Sequence, residues 1–377
     1  MRKIRVLHIV QAAGGVDRFL RSLIKNLDKN KFENILICSN DFTFDNYKDD
    51  VSEFYQLDMK RNVSFRDLVF IFKVRKLIKQ IKPDIVYAHS SKAGVIARIA
   101  DIWLDNKIIY NPHGWAFNMR GSRYKRLFYA FIEKVCSFFC DKIVCVSDSE
   151  KMSALRWHIC KANKVKVIYN GIDIDDYKNR KYSSSKFDLG IPENAFVVGM
   201  VGRIAEQKAP DIFVKVAEIV KQRIQNAFFV IVGDGPLLNK IKDQIHNSNL
   251  DDSFLITGWC SDPLEYSRFF DVSCLFSRWE AFGLVLAEYM MVKSPIVATN
   301  VDAIPNLIKN NENGLLICED DYREASEAIC KLHDNASLVK QLTDHAYSFL
   351  LKRFDIKLVI KNHEDLFRDL LSYPKFW

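Results

Sequence analysis

Short apolar runs alternate with longer amphipathic stretches, and the pattern occurs twice, on either side of one polar interruption. Before the interruption, residues 4–11, 34–39, 84–89, 107–111, 142–147 and 166–169 read as strands. Residues 16–27, 65–81, 93–103 and 123–139 carry apolar side chains at helical spacing, and the second of these stops before Pro83. Residues 173–194 break the rhythm: they are polar, include Ser183, Ser184 and Ser185, and end near Pro192. Strands then resume at 196–202, 227–232, 254–257, 272–276, 295–298 and 315–317, with helices between most of them. Strands separated by helices imply right-handed βαβ units and parallel sheets. The expected fold class is therefore α/β, with two doubly wound Rossmann-like domains facing a central cleft. The expected boundaries are a first domain at 1–175, a linker at 176–195, a second domain at 196–355, and a C-terminal helix at 356–377 that crosses back to the first.

The chain has 377 residues, 49% hydrophobic and 27% charged, enough for two sizeable cores. No run reaches the roughly 18 apolar residues that a spanning helix needs. The N-terminal residues read as a first strand rather than a signal peptide. The nine cysteines are scattered. Cys136 and Cys140 lie one helical turn apart, but no His or Cys partner stands at zinc spacing, and dispersed thiols fit the cytosol. Residues 1–175 hold 31 Lys and Arg against 19 Asp and Glu, a net +12, whereas the rest is net −4. A basic first half points to an anionic partner. No nucleic-acid-binding module is present, so nucleic acid is not the expected partner.

Only 14 glycines occur, and Gly14, Gly15, Gly114, Gly171, Gly202, Gly233, Gly235, Gly258 and Gly283 all fall at or just beyond expected strand ends. Glycine there allows tight turns and close approach of backbone to a ligand. The loop around Gly14 and Gly15 opens a helix, whose N-terminus can receive a phosphate, although the Gly-x-Gly-x-x-Gly spacing is absent. Arg203 and Lys208 share the loop after the first strand of the second half, and two cations suit a pyrophosphate. In Ser277–Glu288, Glu280 lies in a loop and Glu288 in the helix that follows. Each carboxylate can accept two hydroxyl hydrogen bonds, which suits a sugar ring and a ribose.

The ordered set Gly14-Gly15, Pro112-His113-Gly114, Asn170-Gly171-Ile172-Asp173, Gly202-Arg203 with Lys208, Gly233-Asp234-Gly235-Pro236 and Glu280-x7-Glu288 resembles glycosyltransferase family 4. These are retaining GT-B enzymes of bacterial capsule, exopolysaccharide and lipopolysaccharide synthesis. The resemblance covers nearly the whole chain. The run His89-Ser90-Ser91-Lys92-Ala93-Gly94, followed by Pro112-His113-Gly114-Trp115, is similar to the polysaccharide-assembling members. The resemblance implies that Arg203 and Lys208 bind the donor diphosphate, Glu280 the sugar hydroxyls and Glu288 the ribose hydroxyls. It implies that amides near Phe282, Gly283 and Leu284 support the sugar and phosphates. His113 would contact the donor sugar, Gly258 and Trp259 would lie in the base-binding loop, and Gly14 and Gly15 would shape the floor beside the diphosphate. Catalytic roles accordingly fall to His113, Arg203, Lys208 and Glu280.

Two positions depart from the family pattern. Ala281 stands where glycine is usual, and Asp302 stands in a loop that often carries Gly-Gly. No cofactor and no metal is expected: Asp173-Ile174-Asp175 has the spacing of a metal-binding pair but sits at the edge of the linker. The expected function is transfer of a hexose, with retention, from a nucleotide diphosphate donor (UDP by base rate) to a lipid-linked or saccharide acceptor. Rival readings are a nucleotide-sugar 2-epimerase of the same fold and a non-catalytic nucleotide-sugar or lipid-phosphate binding scaffold. The expected setting is cytoplasmic, on the inner face of the cell membrane. The first half mixes aromatics (Trp115, Phe117, Phe128, Tyr129, Phe131, Phe138, Phe139) with cations (Arg120, Arg123, Lys125, Arg126, Lys134). Residues 60–82 add Arg61, Arg66, Lys73, Arg75, Lys76 and Lys79. Exposed aromatics beside cations suit an anionic membrane surface, whereas aromatics packed under the helices would be ordinary core.

Overall fold

The computed structural model describes residues 2–11, 13–60 and 66–372, with the side chain of Arg66 excepted. Arg61, named above, lies outside the described residues, as do 62–65 and 373–377. The chain forms two compact units, residues 1–171 with 356–377, and residues 172–355.

In the first unit the described residues form a seven-stranded parallel sheet. Its strands are β1 (Ile4–Val10), β2 (Phe32–Cys38), β3 (Glu53–Gln56), β4 (Ile85–His89), β5 (Lys107–Asn111), β6 (Lys142–Cys145) and β7 (Val165–Val167). The intervening helices are α1 (Gly15–Asn26), α2 (Arg66–Ile81), α3 (Ser91–Ala100), α4 (Arg123–Ser137) and α5 (Asp148–Arg156). The order β3-β2-β1-β4-β5-β6-β7 reverses direction between β1 and β4, the doubly wound arrangement. Strands buried on both faces read as continuous apolar runs, which is why β1, β2 and β5 were legible without alternation. Phe70, Val74 and Ile78 of α2, Ile96 and Ala97 of α3, and Ala130 of α4 pack with Leu7, Ile9 and Val86 in one cluster.

In the second unit the described residues form a six-stranded parallel sheet, ordered β10-β9-β8-β11-β12-β13. Its elements are α6 (Ile174–Asn179), β8 (Phe196–Val201), α7 (Pro210–Arg223), β9 (Ala227–Val232), α8 (Leu238–Asn247), β10 (Phe254–Ile256), α9 (Leu264–Ser267), β11 (Val272–Leu275), α10 (Leu284–Met291), β12 (Ile296–Thr299), α11 (Ile304–Leu307), β13 (Leu315–Ile317), α12 (Tyr322–His333) and α13 (Ala336–Arg353). The reversal falls between β8 and β11. Phe213 and Ala217 of α7, Ile241 of α8 and Ile329 of α12 cover one face of this sheet.

The last helix, α14 (Ile356–Ser372), belongs to the first unit. Its Ile356, Val359, Ile360, Phe367 and Leu370 pack with Phe19, Leu23 and Leu27 of α1 and with Val6, Ile85 and Ile109 of the sheet. Burial of each such side chain contributes about 1.5–3 kcal/mol.

The stretch expected as a linker, 176–195, is part of the second unit. Tyr182 donates to Asp262 at 2.8 Å, Ser184 to Glu265 at 2.6 Å, and Arg180 pairs with Asp262 at 2.8 Å. Polar composition here serves side-chain contacts with one domain rather than solvation of a tether. The other differences are small: β3 is an added edge strand, α5 an added helix, and α3 ends at Ala100 rather than at Trp103, whose φ is 60°.

Candidate active site

In a doubly wound sheet, ligands bind outside the carboxyl ends of the strands where the strand order reverses. In the second unit the loops after β8 and β11 flank that point. Lys208 and Glu280 stand on these two loops and form an ion pair with both side chains largely buried. Ser277 donates to the same Glu280 carboxylate at 3.1 Å. The loops are stapled together. Gln207 Nε2 donates to the Trp279 carbonyl at 3.0 Å, and Arg278 reaches the Glu206 carbonyl at 3.0 Å and Asp211 at 2.7 Å. Arg203 is exposed and has no hydrogen-bond or ion-pair partner among the described residues.

Gly283 caps α10 with φ 84°, a left-handed conformation that costs little only for glycine. That turn leaves the first N–H groups of α10 without carbonyl partners inside the helix and aims them off its N-terminus. Leu284 is the first residue of that turn. Phe282 places its ring in the core against Phe354, so only its backbone is available to a ligand. Gly233 permits the closest approach: a Cβ there would lie 2.0 Å from the Gly202 carbonyl oxygen. Gly258 bridges to Gly233, which brings the expected base-binding loop beside the end of β9, and Trp259 there is exposed.

Glu288 is buried in α10 and accepts a hydrogen bond from Tyr177 of α6 at 3.1 Å. Tyr289 places its hydroxyl between the two strands of the reversal, accepting from Val201 N at 2.8 Å and reaching the Cys274 carbonyl at 3.4 Å. Asp302 accepts from the Glu280 backbone N–H at 3.0 Å, so the departure from Gly-Gly fixes the Glu280 loop. Burial raises the Asp302 pKa, as does the nearby Glu280 charge, against that hydrogen bond. Asp173 of the Asp-x-Asp run caps α6, accepting from Asp176 N at 2.9 Å. Among the described residues, no group of three or more His, Cys, Asp or Glu is placed to hold a metal ion.

In the first unit, Gly14 caps α1 with φ 106°, and Gly15 begins the helix at the carboxyl end of β1. His113 follows β5 with a left-handed φ of 51°. Two contacts hold that turn: His113 N donates to Asn111 Oδ1 at 3.0 Å, and Gly114 N to Glu150 Oε1 at 2.7 Å. Glu150 also accepts from Val146 N at 2.7 Å. Burial pushes the Glu150 carboxyl up to about 7 despite these two donors. His113 is in turn hydrogen-bonded to His89 at 3.1 Å, and His89 to His8 at 3.2 Å. Burial holds His8 at about 4 and His113 at about 3, so these rings are neutral near pH 7.

His8 also lies 3.2 Å from Asn34 Oδ1. Sequence reasoning quoted His89 only as part of a motif and missed Asn34, His8, Glu150, Tyr177 and Tyr289 as members of these networks. Polar residues inside otherwise apolar strands, such as His8 in β1, were the available signal.

The aromatics of the first unit divide. Trp115 and Phe117 are core, stacked at 5.2 Å, which for these two selects ordinary core over exposure. Tyr129 is half-buried. On α4, however, Tyr124, Leu127, Phe128, Phe131, Val135 and the following Phe138 form one exposed stripe, with Tyr124 84%, Phe131 66% and Phe138 75% accessible. Arg123, Lys125 and Lys134 are exposed on the same helix. The opposite face is anchored by Glu133, buried and paired with Arg98 at 2.7 Å. Arg126 donates to the Phe117 carbonyl at 2.7 Å and Arg75 to the Ala100 and Ile102 carbonyls at 2.7 Å, so these two cations serve the fold. Leu68, Val69 and Phe72 of α2 are also exposed. Among the described residues, no helix is long and apolar enough to cross a membrane.

The profile of Glycosyltransferase Family 4 matches residues 13–176, and that of Glycosyl transferases group 1 matches residues 182–349. The chain is 28% identical to the UDP-Gal:alpha-D-GlcNAc-diphosphoundecaprenol alpha-1,3-galactosyltransferase of Escherichia coli over 98% of each sequence. It is 24% identical to the capsular polysaccharide biosynthesis glycosyltransferase CapM of Staphylococcus aureus over 99% of each. Among solved structures, HepE of Anabaena in complex with UDP superposes with a TM-score of 0.82 at 20% identity, covering 97% of this chain and 100% of that one.

Proposed function

Since this chain belongs to glycosyltransferase family 4 and has the GT-B fold, we propose that it transfers a hexose from a UDP-sugar, with retention, to a lipid-diphosphate-linked saccharide in surface polysaccharide synthesis. The observation that carries the reading is the Lys208–Glu280 pair on the two loops at the strand-order reversal of the second unit. A cation suited to a diphosphate and a carboxylate suited to sugar hydroxyls are held side by side there. Arg203 supplies a second, exposed cation. These charges stabilise the nucleotide diphosphate as the anomeric C–O bond to it breaks. No metal is required for that role. In a front-face transfer the acceptor oxygen bonds to the anomeric carbon on the face the phosphate leaves, and the departing phosphate oxygen takes the acceptor's proton. Glu288 holds the ribose hydroxyls, the Gly258–Trp259 loop receives the base, and the amides near Phe282, Gly283 and Leu284 support the sugar and phosphates. His113 contacts the donor sugar, and Gly14 and Gly15 floor the site beside the diphosphate.

The acceptor reading is supported by the likeness to the Escherichia coli enzyme, whose acceptor is diphosphoundecaprenol-linked. We infer that the α4 stripe and its cations seat the protein on the anionic inner leaflet, where such an acceptor resides. The test is incubation of the protein with a panel of UDP-hexoses, with and without undecaprenyl-diphosphate-linked GlcNAc. A new disaccharide whose anomeric configuration by NMR matches the donor's is expected. An epimerised donor without acceptor would select the epimerase reading. Saturable UDP-sugar binding with no product would select the scaffold, and an inverted linkage would refute retention.

A further inference from the structure

We propose that Asn34, His8 and His89 are positioning residues that fix the tautomer of His113, leaving His113 Nδ1 as a hydrogen-bond acceptor at the end of a buried chain. The proposal rests on the reading of His113 as a donor-sugar contact, and it adds which way that contact's hydrogen bond runs.

The chain lies at the strand-order reversal of the first unit. His8 on β1 is opposite Tyr87 on β4, and His89 is two residues further along β4, so both side chains lie on the same face of the sheet. The rings stack, His8 on His89 at 5.5 Å and His89 on His113 at 5.4 Å. His8 Nε2 lies 3.2 Å from Asn34 Oδ1, His8 Nδ1 lies 3.2 Å from His89 Nε2, and His89 Nδ1 lies 3.1 Å from His113 Nε2. Asn34, His8 and His89 are all buried.

A neutral imidazole has one N–H and one lone pair, so each link determines the next. The Asn34 carbonyl oxygen only accepts, and the proton therefore sits on His8 Nε2. His8 Nδ1 is then a lone pair, which requires His89 Nε2 to donate. His89 Nδ1 is a lone pair in its turn, which requires His113 Nε2 to donate. His113 Nδ1 is left as an acceptor and has no partner among the described residues. Burial disfavours an imidazolium at any link, which would break the alternation. His363, the neighbouring buried histidine, stands outside the chain. It faces Tyr87 OH at 3.1 Å and the Val359 carbonyl at 2.8 Å, so its proton is on Nδ1. A His113 set in this way accepts a sugar hydroxyl and places no positive charge beside the donor.

The one alternative for the chain reverses every tautomer, with the Asn34 amide NH2 donating, and 15N-labelled histidine NMR of the intact protein separates the two. Wild-type His113 is expected with Nε2 protonated and Nδ1 bare. Asn34→Leu removes the anchor and His89→Phe cuts the chain while keeping a ring in place. In both, His113 is expected to populate both tautomers. In both, kcat is expected to fall about tenfold with donor KM within twofold, and His89→Gln, which can still accept and donate, should restore the wild-type pattern. Nδ1-protonated His113 in the wild type, or an unchanged His113 tautomer and kcat in a folded His89→Phe protein, would overturn the proposal. Wild-type turnover in His113→Ala would instead overturn the sugar-contact reading, since the NMR assignment does not depend on activity.

Discussion

Lys208 and Glu280 neutralise each other, so removing either one does more than delete a ligand contact. Lys208→Ala should lower turnover by about a hundredfold or more, the loss of about 2.7–4 kcal/mol of transition-state stabilisation typical of such contacts. It should also lower the melting temperature, because Glu280 is left largely buried and unpaired. Arg203→Ala should lower turnover comparably with no change in melting temperature, since Arg203 is exposed. Near-wild-type turnover in both variants would remove the diphosphate assignment. At this scale the sequence was informative about residues that stand out by type in loops. Lys208 and Glu280 were singled out as charged side chains in loops at strand ends, and the structure pairs them. Tyr289 and Asn34 were not, because a buried hydrogen bond between distant residues leaves no mark on local spacing. Asp302 stood out only as a departure from Gly-Gly, because its bond to the Glu280 backbone depends on how two loops meet.

The α4 helix is the element whose surface does not match its surroundings. Glu133, Ala130 and Cys136 face the core, while Phe128, Phe131 and Phe138 face outward. Helical spacing marked 123–139 as an apolar helix in the sequence, but spacing alone does not say which of its apolar side chains are covered. The buried Arg98–Glu133 pair decides it by anchoring the polar side inward. Replacing Phe128, Phe131 and Phe138 together by Ser should leave the melting temperature within about 2 °C and abolish sedimentation with anionic vesicles. Arg123→Ala with Lys125→Ala should weaken sedimentation at low salt by about 1 kcal/mol per cation. Sedimentation of the triple variant equal to wild type, or no binding by the wild type, would leave the stripe without a membrane role. Arg126 is unsuitable for that test because it supports the Phe117 carbonyl. Among connections, the 176–195 segment was the least legible: polarity signals exposure or side-chain pairing equally well, and only Asp262 and Glu265, some 80 residues away, make it pairing.

At the scale of the molecule, the buried histidines set the response to acid. Their folded pKa values, about 4 for His8 and His363 and about 3 for His113, lie below the ordinary value of 6.5. The unfolded chain therefore takes up protons below pH 6.5 that the folded chain refuses. The stability they confer is complete above 6.5 and is lost as pH falls towards their folded values. Glu150 opposes this, gaining stability as pH falls from about 7 towards 4.5, but it is one group against several. The net expectation is a lower melting temperature at pH 5 than at pH 7.5. Thermal melts at pH 7.5 and pH 5 with equal midpoints would contradict it. The two doubly wound sheets were legible throughout, because alternation of strand and helix is a local pattern. The destination of α14 has no local pattern, yet its Ile356, Val359 and Phe367 complete a core begun at Val6. A chain ending at Asp355 should leave the first unit unfolded by circular dichroism and the second intact, and a cooperative melt of residues 1–171 alone would refute this. During synthesis, β1 must then wait for a helix encoded beyond a whole intervening unit: residues 172–355 can settle while still attached to the ribosome, whereas β1 lacks its covering helix until α14 has followed them out.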